Sequence, residues 1–150
     1  MRFLNRLAFG LFALTASSVV AAVVVRDRVP SYGGETDDTF SVVAALDGAV
    51  LESRASSLRE GRAVAFMGGI ELDLLDVTLE PGATLVLRAF MGGIDVVVPA
   101  HWRVELMSRA VMGGVENLTD PDGSDDGAPL LLVDALAILG GVEIHEEEVA

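Results

Sequence analysis

The chain has no cysteine among its 150 residues. That excludes a disulfide framework, a thiolate metal site and a thiol nucleophile. It also has no lysine, so all 10 basic residues are arginine. Histidine is nearly missing. His101 and His145 are the only two, neither has a second histidine at ligand spacing, and neither stands near a serine in a nucleophile-elbow context. Positive charge is scarce throughout. From residue 30 onward 6 arginines face 22 acidic residues, a balance of −16. This excludes nucleic acid as a partner, because binding it needs a basic surface. It also disfavours direct docking onto anionic lipid. It suits solubility, or a basic partner.

One long charge-free run is present. Leu7 to Val25 is 19 residues, preceded by Arg2 and Arg6 and closed by Arg26-Asp27-Arg28. That length spans a bilayer core of about 30 Å. Small residues at Ala16 to Ser18 and Ala21-Ala22 would suit a cleaved signal peptide. Val23-Val24-Val25 carries the apolar run up to Arg26, which favours an uncleaved single-pass anchor in the cell membrane. Two arginines flank each end, so the positive-inside rule leaves open which side the remaining chain faces. Residues 1–28 are thus expected to be a basic start and anchor, 29–39 a polar linker, and 40–150 the folded domain.

The domain is organised by a repeat. Phe66-Met67-Gly68-Gly69-Ile70-Glu71-Leu72 returns as Phe90-Met91-Gly92-Gly93-Ile94-Asp95-Val96. It returns again as Val111-Met112-Gly113-Gly114-Val115-Glu116-Asn117, and last as Ile138-Leu139-Gly140-Gly141-Val142-Glu143-Ile144. The intervals are 24, 21 and 27 residues. A fainter copy lies at Ala45 to Val50. A period in the low twenties marks stacked supersecondary units. Ile70, Leu72 and Leu74 alternate with Glu71 and Asp73, the period-2 pattern of a half-buried strand. The spacing predicts an all-β fold: a right-handed β-solenoid-like stack of four to five short turns.

The glycines Gly68/Gly69, Gly92/Gly93, Gly113/Gly114 and Gly140/Gly141 serve this stack structurally. Each side chain in such a stack meets its copy about 4.8 Å away in the next strand, and glycine removes the clash. They are not phosphate loops, because the Gly-x-x-x-x-Gly-Lys and Gly-x-Gly-x-x-Gly spacings are missing. If Gly-Gly forms a bulge, the alternation flips and Met67, Met91, Met112 and Leu139 become core, which is the favoured placement.

Alternation also stacks Glu71, Asp95, Glu116 and Glu143 on one outer face. Like charges that close cost about 1 kcal/mol per pair in water. They are therefore solvated, paired with arginine, or a face for a cation or a partner. Acidic pairs such as Glu71/Asp73 recur along the ladder, whereas a catalytic pair would be singular, so no catalytic residue, metal ligand or cofactor is assigned.

Along the chain, Arg54 to Arg62 reads as a polar connector, Pro81-Gly82 as a turn and Pro99 to Arg103 as a corner packed by Trp102. Asn117 to Pro129 is a polar loop that accounts for the 27-residue interval. Asp120 to Gly127 has a calcium-loop flavour but lacks the Glu that closes an EF-hand loop. Leu130 to Val133 and the last motif are strands. The acidic tail His145 to Glu148 is placed at the final edge, where its charge would prevent pairing with another chain.

The repeats resemble the LiaF-like carboxy-terminal domain of the cell-wall-active antibiotic response proteins. The likeness rests on Phe90 to Val98 running into Pro99, then Trp102-Arg103-Val104, then Gly113 to Glu116, and the terminal Gly140 to Ile144. It covers roughly residues 60–148. The resemblance implies a non-enzymatic regulator of the envelope stress response, held at the membrane and restraining a sensor histidine kinase or another membrane protein. It implies no catalytic residues. A self-associating membrane-tethered scaffold and a weak cation-dependent binding module are the alternatives left by the sequence, with homo-oligomerisation open.

Overall fold

A computed structural model describes residues 31–120 and 125–149. The anchor expected over 7–25 lies outside these, as does the middle of the loop at 120–127. Among the described residues no helix is long and apolar enough to cross a membrane.

The architecture of the described residues is all-β. Ten strands come as five strand–corner–strand units: β1 (Thr39–Ala45) with β2 (Gly48–Glu52), β3 (Leu58–Phe66) with β4 (Gly69–Asp73), β5 (Leu79–Phe90) with β6 (Gly93–Pro99), β7 (Arg103–Val111) with β8 (Gly114–Asn117), and β9 (Leu130–Ile138) with β10 (Gly141–Glu147). The faint copy at Ala45 to Val50 is thus a full unit. The first strands of the units form one five-stranded sheet and the second strands form another. All neighbours in both sheets are parallel. The result is a β-solenoid-like stack around one core.

Alternation decides the core. Ile70, Leu72, Ile94, Val96, Val142 and Ile144 point inward from the second sheet; Leu85, Leu87, Leu131, Val133, Ala135 and Ala137 point inward from the first. All are at most 2% exposed. A leucine or isoleucine buried this fully contributes about 1.5–3 kcal/mol of transfer free energy.

The units do not stack in chain order. The first sheet runs β1-β3-β5-β9-β7 and the second β2-β4-β6-β10-β8. After β6 the chain skips one level to build β7–β8 at the far end. The loop after β8 then carries it back, and β9–β10 fills the vacant slot. One expectation is corrected by this. The tail residues His145 to Glu147 lie on β10 and pair with β6, and the last strand of the second sheet is β8, whose pairing with β10 ends at Ile144↔Asn117, so the tail is not the final strand of the stack. The stretch 117–129 is long because it descends one level of the stack.

Local departures have local causes. Arg54 to Arg62 is a connector only at its start, since Leu58 opens β3 and is fully buried. Pro81-Gly82 is a bulge within β5. The pairing shifts from Leu58↔Leu79 to Glu60↔Thr84 across it, and Gly82 takes a φ of 83°. The actual turn is one step earlier, where the Val77 amide donates to Leu74 O at 3.2 Å. Leu130 to Ile138 is strand, as the repeat requires.

The inserted strand β9 is tied to both neighbours by Asp134. Arg88 on β5 donates to its Oδ2 at 2.8 Å, and the Arg109 guanidinium on β7 comes within 3.8 Å. The hydrogen bond from Arg88 holds the Asp134 carboxyl below its ordinary value of 3.8, and both arginine charges add to this. A carboxylate whose folded pKa is depressed contributes stability above its unfolded pKa and loses it as pH falls through the folded value. Asp134→Asn should therefore be less stable than the parent at pH 7, and the gap should close in strong acid. Urea unfolding of both proteins across that range checks it.

Candidate functional site

The corners place the site. In every unit the residue before the glycine pair, or before Asp47-Gly48 in the first, takes a left-handed backbone: Leu46 (φ 66°), Met67 (53°), Met91 (55°), Met112 (53°) and Leu139 (53°). None of the paired glycines has a positive φ. The methionine makes the corner, and its side chain is thrown outward. Met91, Met112 and Leu139 are 53%, 80% and 48% exposed, and Met67 is half-buried. The core placement expected for them is therefore corrected. The phase flip was assigned to a glycine bulge, but it occurs one residue earlier and turns the residue out.

The two glycines of each pair have different jobs. A Cβ on the first would lie 2.1 Å from Asp47 O at Gly68, 2.2 Å from Gly68 O at Gly92, 2.2 Å from Gly92 O at Gly140 and 2.0 Å from Gly140 O at Gly113. These four positions tolerate no side chain. Asp47 starts the row and has no unit beneath it. The second glycines are different. A Cβ at Gly69 or Gly114 would meet nothing within 4 Å, and at Gly48, Gly93 or Gly141 only a carbonyl oxygen at 3.9 Å. Packing among the described residues does not require glycine at these five positions.

Those five glycines lie in one register, Gly48↔Gly69↔Gly93↔Gly141↔Gly114, across the outer face of the second sheet. They floor an open groove of about 670 Å³. Beside the floor runs the row Val50, Glu71, Asp95, Glu143, Glu116, again in strict register. The acid stacking expected from alternation is seen, with Glu143 seated between Asp95 and Glu116. No arginine among the described residues reaches any of the four acids within 4.0 Å.

The next row out is Glu52, Asp73, Val97, His145. His145 is the residue that sequence reasoning left in a tail. Its Nδ1 lies 3.1 Å from Asp95 Oδ1 and 4.0 Å from Glu143 Oε1. The signal for it was available, because His145 follows Glu143 by two positions and so shares its face. One ligand atom each from Asp95, Glu143 and His145 falls within 4.8 Å of the others. Chemically the trio can share a proton or offer oxygen and nitrogen to a cation. His101 is elsewhere, exposed at the β6–β7 corner with its ring edge-on to Trp102.

The chain matches no protein-family model, no curated protein and no solved structure.

Proposed function

We propose that this chain is a membrane-anchored, non-enzymatic regulator of the bacterial envelope stress response. It acts by seating a basic segment of a sensor histidine kinase, or of another membrane protein, in the glycine-floored groove. One observation carries the reading: the floor and its acidic wall are both unexplained by the fold. The five second glycines are kept free of side chains that the chain could accommodate. Four acids stand in line without an arginine, at a cost of about 1 kcal/mol per adjacent pair. A backbone floor lets a partner chain approach closely, and an acidic row that no arginine pairs with recruits arginine and lysine. The repeats' likeness to the LiaF-like domain supplies the biological setting. The right-handed winding of the stack and the anchor over residues 7–25 belong to the same proposal.

The test uses the full chain in its native membranes. A photo-crosslinking amino acid at Val50, 68% exposed at the end of the acidic row, reports what occupies the groove. A membrane protein should be captured through a basic segment. Glu71→Arg with Glu116→Arg should cut the yield about tenfold or more, the equivalent of 1.4 kcal/mol. The envelope-stress output of the cell should change in parallel. Capture of no membrane protein, or a yield and stress output indifferent to charge reversal, would overturn the reading.

A further inference from the structure

The two ends of the stack are finished differently. At the β1 end residues 31–34 fold along the free edge. Tyr32 and Ser41 exchange backbone hydrogen bonds at 3.0 and 2.7 Å, and the Ser31 hydroxyl accepts from the Val43 amide at 3.1 Å. That edge is occupied. At the other end β7 pairs with β9 alone, and no described residue bonds to its outer edge. Its core is open as well. Ser108 and Ala110 point inward, in register with Ala135 and Ala137, which are fully buried, yet both are exposed. Met107 and Val111 on the outer face are 73% and 56% exposed.

The free edge has a definite hydrogen-bonding phase. The Arg103 amide donates to Pro129 O, and Val111 O accepts from the Leu139 amide, both towards the β9 side. Odd-numbered residues of β7 therefore face β9. The backbone groups of Val104, Leu106, Ser108 and Ala110 face outward into the unpaired edge. An antiparallel partner must pair with these four, since hydrogen-bonded pairs exchange both N–H and C=O groups.

The sequence of β7 answers this requirement with itself. Turned about a two-fold axis through Met107, a second β7 sets Val104 against Ala110 and Leu106 against Ser108, the hydrogen-bonding pairs. The same register sets Glu105 opposite Arg109, a favourable cross-strand charge pair made twice. Inward-facing Val104 and Leu106 of one copy come beside Ser108 and Ala110 of the other, closing the open core.

We infer that this protein forms a two-fold dimer by antiparallel pairing of β7 with β7 of a second copy, centred on Met107. The two sheets of first strands become one continuous sheet, and the occupied β1 edges stop growth at two copies. The inference does not depend on what fills the groove.

The absence of cysteine makes the test direct. Met107→Cys in the full chain places two thiols on the axis, at a non-hydrogen-bonded pair whose Cα atoms stand about 4.5 Å apart, within disulfide range. Mild oxidation of native membranes should give a covalent dimer. Met91→Cys, also exposed but on a corner two strands in from β7, should give about tenfold less. Adding Ser108→Pro removes one outward-facing amide and no bond to β9, and edge strands accept proline there. The Met107→Cys/Ser108→Pro chain should lose the crosslink about tenfold while keeping its melting temperature. In detergent the parent should have twice the 15.7 kDa protein mass and Ser108→Pro one times that mass. The dimer is overturned by no crosslink at 107, by crosslinking equal to that at 91, by a crosslink that survives Ser108→Pro, or by a protein mass other than two chains.

Discussion

Gly92→Ala should destabilise the domain by about 3 kcal/mol or more, and Gly93→Ala, one residue on, should leave it unchanged or stabilise it by about 0.5 kcal/mol. The first alanine would set its methyl carbon 2.2 Å from Gly68 O and 3.0 Å from Gly68 N. Both are backbone atoms in a continuous ladder, where the Gly93 amide donates to Gly68 O at 3.1 Å and the Gly141 amide to Gly92 O at 3.0 Å. Relief requires two units to move apart, which breaks that ladder. Overpacking of this kind costs about 1–3 kcal/mol even where side chains can yield, and here they cannot help. The second alanine would point into the open groove and restrict only the unfolded chain, a gain of about 0.4–1 kcal/mol. Thermal melts of the two variants should differ by about 10–20 °C for a domain of this size. If Gly93→Ala also weakens capture of the groove's occupant while raising the melting temperature, floor and frame are separated by a single methyl group.

Trp102→Ala is the second large effect, with an expected loss of about 3–5 kcal/mol. Trp102 is 1% exposed and stands at the corner where the chain leaves β6 and skips a level. Its amide donates to Pro99 O at 3.0 Å, which fixes the tight turn, and its ring fills the space under that turn. Removing the ring leaves a void where the chain makes its least regular step. Against a typical total of about 5–15 kcal/mol, such a loss consumes much of the domain's stability. Urea unfolding followed by circular dichroism measures it. Trp102→Phe should recover part of the loss.

Much of this fold can be read in the residues, and the reason is periodicity. Ile70, Leu72 and Leu74 against Glu71 and Asp73 state which side is core, and four copies of one motif state that units stack in register. The acidic row follows from those two facts alone. What was hidden is whatever the repeats share. Each unit carries the same corner and the same alternation, so any unit fits beside any other, and the order β1-β3-β5-β9-β7 shows in the sequence only as an unusually long stretch at 117–129. The place of the methionines was misread for a related reason. Glycine is the usual bearer of a positive φ, but here the glycines are needed for close approach, so the neighbouring Met91 or Met112 takes the left-handed backbone. Pro81-Gly82 misled in the same way. The same turn-forming pair here makes a bulge within β5. His145 was overlooked because a run of glutamates resembles a tail, although the strand alternation that placed Glu143 extends to it.

The inserted unit changes what kind of object this is. Repeat stacks usually lengthen or shorten at their ends, one unit at a time, because each repeat touches only its neighbours in sequence. Here β9–β10, which follows β7–β8 in the chain, sits between β7–β8 and β5–β6. Until β9–β10 arrives, β7–β8 lacks the strands it pairs with in the finished stack, and nascent chain up to residue 129 holds only three units in their final place. Duplicating β9–β10 would not extend the stack at an end, because that unit is enclosed between β5–β6 and β7–β8.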